Sequence, residues 1–292
     1  MAKDAGEQVT IKKSAVVTLT DMGHIVEIQH MEKKNTTCYI KKIDADRYVN
    51  LETGEIHDFE KSSNRSESEN SLRKTFKKMR YLINYNFKGN PNELFVTFTF
   101  AKESFDSKMV YKDFDKFIKR LRYKYKKTTT IDYLNVVEPH ASGQWHSHML
   151  IRFNDLDKVY IPNAELNELW GHGFVTIQSL KNVDNIGAYV SAYLADVEVP
   201  EGHDCDSANL VVKEVDGQEK RFIKGGRLWM YPPQMNLYRK SKGIEFPERV
   251  EMTYEDTKKV VGFRQPHYQK QYIVENVDFK NTITYEQYNL KR

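Results

Sequence analysis

The 292-residue chain has no long hydrophobic run and little cysteine. No stretch approaches the roughly 18 consecutive apolar residues of a membrane-spanning helix, and the opening residues MAKDAGEQVT contain no apolar signal-peptide core. We therefore expect a cytoplasmic protein with no membrane partner. The two cysteines, Cys38 and Cys205, are too few for a disulfide framework or a cysteine-rich zinc site, and we expect both to be reduced thiols.

The net charge is small, but the basic residues are unevenly distributed. The chain has 45 lysines and arginines against 41 acids, a net charge of +4. Residues 71–90 contain six basic residues and no acid, residues 112–127 contain eight against two, and residues 220–243 contain seven and no acid. Aromatic residues are interleaved with these charges, as in proteins that bind single-stranded nucleic acid. The same blocks also fit the solvated outer faces of amphipathic helices, so both interpretations stay open.

Changes in composition divide the chain into four segments. Residues 1–60 alternate apolar and polar side chains in short stretches, which predicts a small β-rich module with a turn at Thr53-Gly54. Residues 61–70 are polar and serine-rich, as expected of a linker. Residues 71–243 form the main domain, and residues 244–292 form a C-terminal extension whose role the sequence does not indicate.

The main domain alternates between the helical and the strand period. Apolar residues recur every three or four positions from Leu72 to Ile83, which predicts a helix with a basic outer face, and LFVTFTF then alternates as a strand. A second amphipathic helix, the strands IDYLNVVE and HSHMLIRF, a helix at AELNELW, a strand GFVTIQSL and a helix at NIGAYVSAYLAD follow. The order β-α-β-β-α-β-α predicts an α+β fold of the ferredoxin-like split β-α-β kind, with helices on one face of an antiparallel sheet.

The segment Trp145–Ile151 carries two histidines that are two residues apart. In a strand, His146 and His148 point to the same face, and a hairpin would bring Glu138, at the end of the preceding strand, near them. Two imidazoles and one carboxylate form a site suited to Mg²⁺ or Mn²⁺. An incidental pair of surface histidines is the alternative interpretation.

Two tyrosines are four residues apart in the last predicted helix of this block. Tyr189 and Tyr193 share a helix face, so both hydroxyls could approach one phosphate. A tyrosine oxygen can displace the 3′ oxygen of a phosphodiester and form a covalent 5′ phosphotyrosine when a metal neutralises the developing charge. Packing of both rings in the core is the alternative interpretation.

These patterns together resemble a known family. FVTFTF, an E-P-x-x-x-G-x-W-H-x-H-x-x-I segment and a Y-x-x-x-Y helix, in this order, resemble the three motifs of HUH endonucleases, specifically of rolling-circle replication initiators (Rep). The flanking phrases NLETGEI, SLRKTFKKMRYLINYNF, WGHGFV, IGAYVSAYL and MNLYRKSKGIEFPE resemble Rep proteins of plasmids, phages and mobile elements of Gram-positive bacteria. The resemblance covers most of residues 40–250.

The resemblance implies a role for each site residue. His146 and His148 would be metal ligands, Glu138 or a neighbour would supply a third, and Tyr189 or Tyr193 would be the nucleophile, of which we favour Tyr189 for nicking. Two positions depart from the family's pattern. Ser147 stands where a bulky apolar residue is usual. Ala192 stands where many relatives carry a lysine, so another cation would have to steady the phosphate, and Arg152 is our candidate because it shares the strand face of the histidines.

The basic blocks supply the predicted contacts to DNA. We expect the affinity for DNA to depend on salt concentration, because basic side chains contact the phosphates. These side chains are Arg73, Lys77, Arg120, Lys124, Arg152, Arg227, Arg239 and Lys240.

We therefore expect a rolling-circle replication initiator that nicks one strand of a single-stranded or hairpin origin and later rejoins the ends. The sequence has no G-x-x-x-x-G-K-[ST] phosphate loop, so we expect a host helicase to open the duplex. The alternatives are a relaxase or single-strand transposase with the same chemistry, and a DNA-binding repressor without catalysis.

Overall fold

The computed structural model divides the chain into two compact units. One unit comprises residues 1–62 and 247–292, and the other comprises residues 63–246. The structure describes residues 2–4, 10–34, 38–60, 69–102, 106–140, 143–195, 197–199, 210–215, 218–223, 227, 230–232, 235–276 and 279–291. Within these residues no helix combines the length and the apolar character needed to cross a bilayer.

The described elements are numbered in chain order. They are β1 (Ala2–Asp4), β2 (Val16–Asp21), β3 (Ile25–Met31), β4 (Ile40–Lys42), β5 (Arg47–Asn50), β6 (Ile56–Asp58), α1 (Glu69–Asn86), β7 (Glu93–Phe100), α2 (Ser107–Tyr125), β8 (Ile131–Pro139), β9 (Trp145–Phe153), α3 (Asn163–Trp170), β10 (Gly173–Gln178), α4 (Ile186–Ala195), β11 (Val197–Val199), β12 (Leu210–Val215), β13 (Gln218–Ile223), β14 (Tyr238–Lys240), β15 (Arg249–Thr253), α5 (Tyr254–Val260), β16 (Tyr268–Asn276) and β17 (Phe279–Asn289).

Both ends of the chain build the first unit. Its six-stranded sheet has the order β1-β16-β17-β3-β2-β15, and a separate three-stranded sheet has the order β4-β5-β6. The turn predicted at Thr53-Gly54 joins β5 to β6, and Gly54 has a φ of 75° that suits glycine. Residues 244–292 were predicted to be a separate extension, but residues 247–292 belong to this unit. Strand β17 pairs with β3, with Ile283 opposite Met31. A pairing over such a sequence separation leaves no local pattern from which it could be predicted.

The second unit contains the predicted α+β fold. A five-stranded antiparallel sheet has the order β10-β7-β9-β8-β14, and β11, β13 and β12 form a small sheet of their own. The chain order β7-α2-β8-β9-α3-β10-α4 confirms the predicted succession of elements. The predicted linker lies largely outside the described residues, since residues 61–68 are not among them.

Helices cover both faces of the five-stranded sheet. On the α2/α3 face, Val96, Phe98 and Met149 pack with Phe117 of α2 and Trp170 of α3. On the opposite α1/α4 face, the apolar strand residues pack against α1 and α4, as a second core cluster of Met79, Leu82, Ile83, Phe87, Phe95, Leu134, Val136, Leu150, Leu180, Ile186, Val190 and Ile244. The prediction of helices on one face was therefore wrong. Strands with apolar residues on both faces need helices packed against each face.

Candidate metal and tyrosine site

Strand register places the predicted metal ligands on the α1/α4 face. Glu138 of β8 is the cross-strand partner of His146 of β9, and His148 is flanked by Val136 on one side and Thr97 on the other. Cross-strand partners in an antiparallel sheet project from the same face, so the carboxylate and both imidazoles share it.

Glu138 and His148 form a buried pair. Oε2 of Glu138 lies 3.2 Å from Nε2 of His148, and each residue is 5% exposed. On the other side of the ring, Nδ1 of His148 lies 3.0 Å from the hydroxyl of Thr97. When Nδ1 donates its proton to that hydroxyl, Nε2 carries the lone pair that a metal needs.

Arg227 holds the other oxygen of Glu138. Its Nη1 donates to Oε1 at 2.6 Å, while no donor of the described residues makes a hydrogen bond to the buried Oε2. Burial opposes the charge on Glu138, but His148 and Arg227 outweigh it and hold the pKa of the carboxyl below its ordinary value. A buried anionic oxygen with remaining acceptor capacity fits a cation ligand.

His146 has a different environment from His148. Its ring stacks on His140 with 5.0 Å between centroids, and it is more exposed than His148. Burial, followed by repulsion from His140, lowers the pKa of His146. Among the described side chains, no three acids, histidines or cysteines form a complete metal cluster. The donor chemistry of Glu138 and His148 fits a divalent cation, and His146, whose ring stacks on His140, lies on the same sheet face.

Tyr189 is linked to the histidine through an aromatic contact. The ring of Phe95 on β7 stacks on His148 at 5.6 Å and meets the ring of Tyr189 edge-on at 6.0 Å. The helix of Tyr189 therefore lies on the same sheet face as the Glu138–His148 pair. Tyr189 is partly buried against the second core cluster, which agrees with the packing interpretation for this ring.

The start of α4 is fastened to α1 by two asparagines. Asn84, 2% exposed, accepts a hydrogen bond from the backbone N–H of Gly187 and donates to Oδ1 of Asn185 at 3.0 Å. Asn185 in turn caps the helix, because its side chain accepts from the N–H of Ala188. A Cβ at Gly187 would lie 2.9 Å from the carbonyl oxygen of Arg80. Glycine therefore permits the close approach that sets the position of Tyr189.

Some predicted residues lie elsewhere or outside the described part. The side chains of Tyr193 and Arg73 are not among those the structure describes. Arg152 shares the histidine face but is bonded to Asp132, Asn154 and the carbonyl of Asn86. Arg152 thus bonds within the fold, and Arg227 is the cation that contacts the carboxylate of Glu138.

The other predicted DNA-contacting residues fall on two faces. On the α2/α3 face, Arg120 donates to the carbonyl of Trp170 and Lys124 pairs with Glu165 at 2.9 Å. Arg239 lies over the ring of Tyr111 and pairs with Asp115. In contrast, Lys77 of α1 lies over the ring of Tyr81, and Lys240 of β14 lies at the edge of the α1/α4 face.

Ser147 has a partner that accounts for its presence between the histidines. It projects from the sheet face opposite to theirs, is fully buried, and accepts a hydrogen bond from the amide of Asn135. The same amide donates to the carbonyl of His148 at 3.1 Å. A buried polar pair therefore accounts for serine at position 147.

Sequence reasoning missed several residues that the site uses. Thr97, Asn84 and Asn185 orient other side chains and backbone groups through their hydrogen bonds. His140 precedes the turn, and its proximity to His146 is visible in the sequence once the hairpin is predicted. Arg227 was identified as basic, but nothing in its local pattern indicates that it meets Glu138.

The comparisons with known proteins concern the same part of the chain. Residues 93–198 match the model of the ORF2 family of replication-associated proteins. No curated protein and no solved structure matches the chain. The matched segment runs from the first residue of β7 into β11, and it includes Glu138, His146, His148 and Tyr189. The central part of this chain is thus similar to replication-associated proteins.

Proposed function

We propose that this chain is a rolling-circle replication initiator that nicks DNA by a tyrosine nucleophile. The observation that carries the proposal is one arrangement within the matched segment. A buried carboxylate–imidazole pair and the helix of Tyr189 share one sheet face, and the ring of Phe95 contacts both His148 and Tyr189.

Tyr189 would be the nicking residue. Its Oη attacks the phosphorus of a phosphodiester, the bond to the 3′ oxygen breaks, and a 5′ phosphotyrosine forms. The phenol loses a proton and the departing 3′ oxygen gains one. Attack by a free 3′ hydroxyl on the phosphotyrosine reverses the exchange and rejoins the ends, with Tyr193 as an auxiliary nucleophile.

The acidic and cationic groups have separate tasks. Glu138, His148 and His146 would hold Mg²⁺ or Mn²⁺, which supplies positive charge opposite the phosphate. Arg227 keeps Glu138 ionised and oriented, and Thr97 sets the orientation of His148. The protein's own contribution is thus a fixed, largely buried set of groups on a rigid sheet.

The experiment that tests this proposal detects the covalent product. Full-length protein is incubated with a single-stranded and hairpin oligonucleotide library and Mn²⁺, and protein-linked DNA is separated on a denaturing gel. We expect an adduct for the wild type, none for Tyr189→Phe, and a reduced amount for Tyr193→Phe. Tyr160→Phe is the matched control, because Tyr160 is 82% exposed.

The other outcomes identify the alternatives. A linkage mapped only to Tyr193 would reverse the assignment of the nicking tyrosine. Adducts that form on the ends of a mobile element or on a transfer origin, but not on a replication origin, would identify a transposase or relaxase. DNA binding without any adduct under these conditions would identify a repressor. Dependence of origin unwinding on added host helicase tests the expected partner.

A further inference from the structure

Beside the candidate site, on the same sheet face, lies a basic groove with an apolar floor. It has a volume of about 550 Å³ and is lined by Lys78, Leu82, Tyr238, Lys240, Lys242, Ile244, Glu245 and Phe246. The segment that forms most of it is MNLYRKSKGIEF, which contains Lys240, one of the residues predicted from the sequence to contact DNA. Three ammonium groups face one carboxylate, so the groove favours an anion.

The groove is aligned with the candidate site through the sheet register. Tyr238 of β14 is the cross-strand partner of Val136, and Val136 is the partner of His148. Two strand spacings, about 10 Å, therefore separate Tyr238 from His148 on the same face. Lys240, two residues after Tyr238, is the cross-strand partner of Leu134, and Leu134 is the partner of Leu150.

Residues 241–246, which follow β14 and form the outer wall of the groove, are held in place by hydrogen bonds and close packing. Ser241 donates to the carboxylate of Asp132, and that carboxylate lies so close to Gly243 that a side chain there would collide with it. The amide of Asn86 donates to the carbonyl of Glu245 and accepts from its N–H. The groove is therefore formed before any ligand binds, which lowers the cost of binding.

Its surface combines charge with aromatic rings. Lys78 and Lys242 are exposed, and Lys240 donates one proton to the carbonyl of Ile244, which leaves the rest of its ammonium for an anion. Phe246 is 44% exposed and tilts against Tyr81 at 5.7 Å, so one ring face is supported by the protein. Proteins bind single-stranded nucleic acid through basic side chains that contact the phosphates and aromatic rings on which the bases stack.

We propose that this groove binds single-stranded DNA through its backbone phosphates and one stacked base, and that it holds the strand on its way to the candidate site. The inference rests on the proposed function, and it goes further by assigning a track for the strand. The path runs along β14 at the sheet edge, toward the row that contains His148.

The first test maps lysine accessibility in the unmodified full-length protein. Lysines are acetylated with and without a single-stranded oligodeoxynucleotide, and each site is quantified by mass spectrometry. We expect several-fold protection of Lys78, Lys240 and Lys242. Lys112, Lys119 and Lys127 are the matched control set, because they are exposed and belong to α2 or the turn after it. Equal labelling of both sets with bound DNA would overturn the proposal.

The second test separates charge from stacking. Replacing the three groove lysines with glutamine should reduce the log-log salt slope of single-strand binding by about 2, since each lost contact removes roughly 0.7. The same change in the control set should leave the slope as it is. Phe246→Leu should weaken single-strand binding by about fivefold or more and leave duplex binding unaltered, whereas Tyr123→Leu on α2 should change neither. Thermal unfolding of each variant verifies the fold.

Three further outcomes distinguish this inference from its alternatives. Protection of the groove by polyglutamate as strong as that by DNA would overturn the nucleic-acid assignment in favour of an acidic peptide. Wild-type protein that forms the tyrosine adduct without protection of these lysines would defeat this inference and leave the proposed function intact. Protection and Phe246-dependent binding without any adduct would support the groove and defeat the proposed nicking.

Discussion

The α1/α4 sheet face carries an acid at each end of β8, and the two acids are built into the fold in different ways. Asp132 receives hydrogen bonds from Ser241, Asn154 and Arg152. Glu138 is held by Arg227 through one oxygen, while its other oxygen lies 3.2 Å from Nε2 of His148.

The two carboxylates therefore differ in how many hydrogen-bond donors surround them. Asp132 is surrounded by donors that close a loop onto the sheet, so its charge serves to hold the fold together. Glu138 is more deeply buried and yet retains an acceptor site, which is costly unless a ligand uses it. Between them an apolar belt of Leu134, Val136 and Leu150 keeps the two ends apart.

The largest effect should come from changes at the Glu138 end of β8. Replacing His146 and His148 together with alanine should reduce nicking on the order of 10³-fold, because several kcal/mol of charge stabilisation at the phosphate is lost. DNA binding should persist, since phosphate contacts come from the basic residues. Adduct formation is measured with Mn²⁺, with excess chelator on the wild type as a parallel. Full cleavage by the double variant would remove this end from the chemistry.

A smaller loss is expected where α4 meets α1. Gly187→Ala places a Cβ against the carbonyl of Arg80 and the side chain of Asn84, so α4 must shift. A displacement near 1 Å at the nucleophile should lower nicking by about 10²-fold. Ala188→Ser, at an exposed position of the same helix, is the control. Adduct yield and single-strand affinity are measured together, and a loss of affinity equal to the loss of nicking would contradict a positioning role.

Changes at the Asp132 end of β8 should affect stability. Burial opposes the charge on Asp132, but hydrogen bonds from Ser241, Asn154 and Arg152 hold the pKa of its carboxyl below the ordinary value. Its contribution is therefore present above the ordinary carboxyl pKa and is lost as the pH falls through the lower folded value. We expect Asp132→Asn to lower the free energy of unfolding by about 1–2 kcal/mol at neutral pH.

Urea unfolding at neutral and at acidic pH tests this expectation. The difference in the free energy of unfolding between wild type and Asp132→Asn should narrow as the pH falls below the ordinary pKa of a carboxyl group, because the wild-type carboxylate then gains its proton. Asp157→Asn, at an exposed position, serves as the control. A gap that widens on acidification would contradict the assigned direction.

The smallest effect is expected on the other sheet face. Arg120 and Lys124 were predicted from sequence to contact phosphates, but both have partners that join α2 to α3. Replacing both with alanine should change the salt slope of DNA binding by less than the roughly 0.7 expected for one contact. Fluorescence anisotropy over a range of salt concentrations provides the slope. A fall of about 1.4 would show that these charges reach the DNA as first predicted.

The sequence was informative wherever its apolar side chains recur with a regular period. Alternation in LFVTFTF and in the two strands of the hairpin predicted β7, β8 and β9, and the spacing of His146 and His148 predicted their shared face. The stripe of α2 also predicted its buried side, which includes Phe114 and Phe117. These features depend on neighbours within a few residues, so local patterns suffice.

Contacts between distant segments could not be predicted in this way. Arg227 meets Glu138 across 89 positions, and Asn86 binds Glu245 across 159. Arg152 was placed on the correct face but bonds Asp132, because a basic side chain pairs with whichever acid the fold brings nearest. Burial of both sheet faces also escaped prediction. A short strand such as β7 has apolar residues on both faces, so its pattern does not show that helices cover each of them.

The first unit has a consequence for the order in which the protein is made. Asn281 donates to the carbonyl of Lys33, and the two residues are 248 positions apart. At roughly 5–20 residues per second, the ribosome delivers β17 between about 12 and 50 seconds after β3. Residues 63–246 can therefore complete their sheet before β2 and β3 gain β15 and β17. Synthesis that stops early would release the unit with the candidate site while β2 and β3 are paired only with each other.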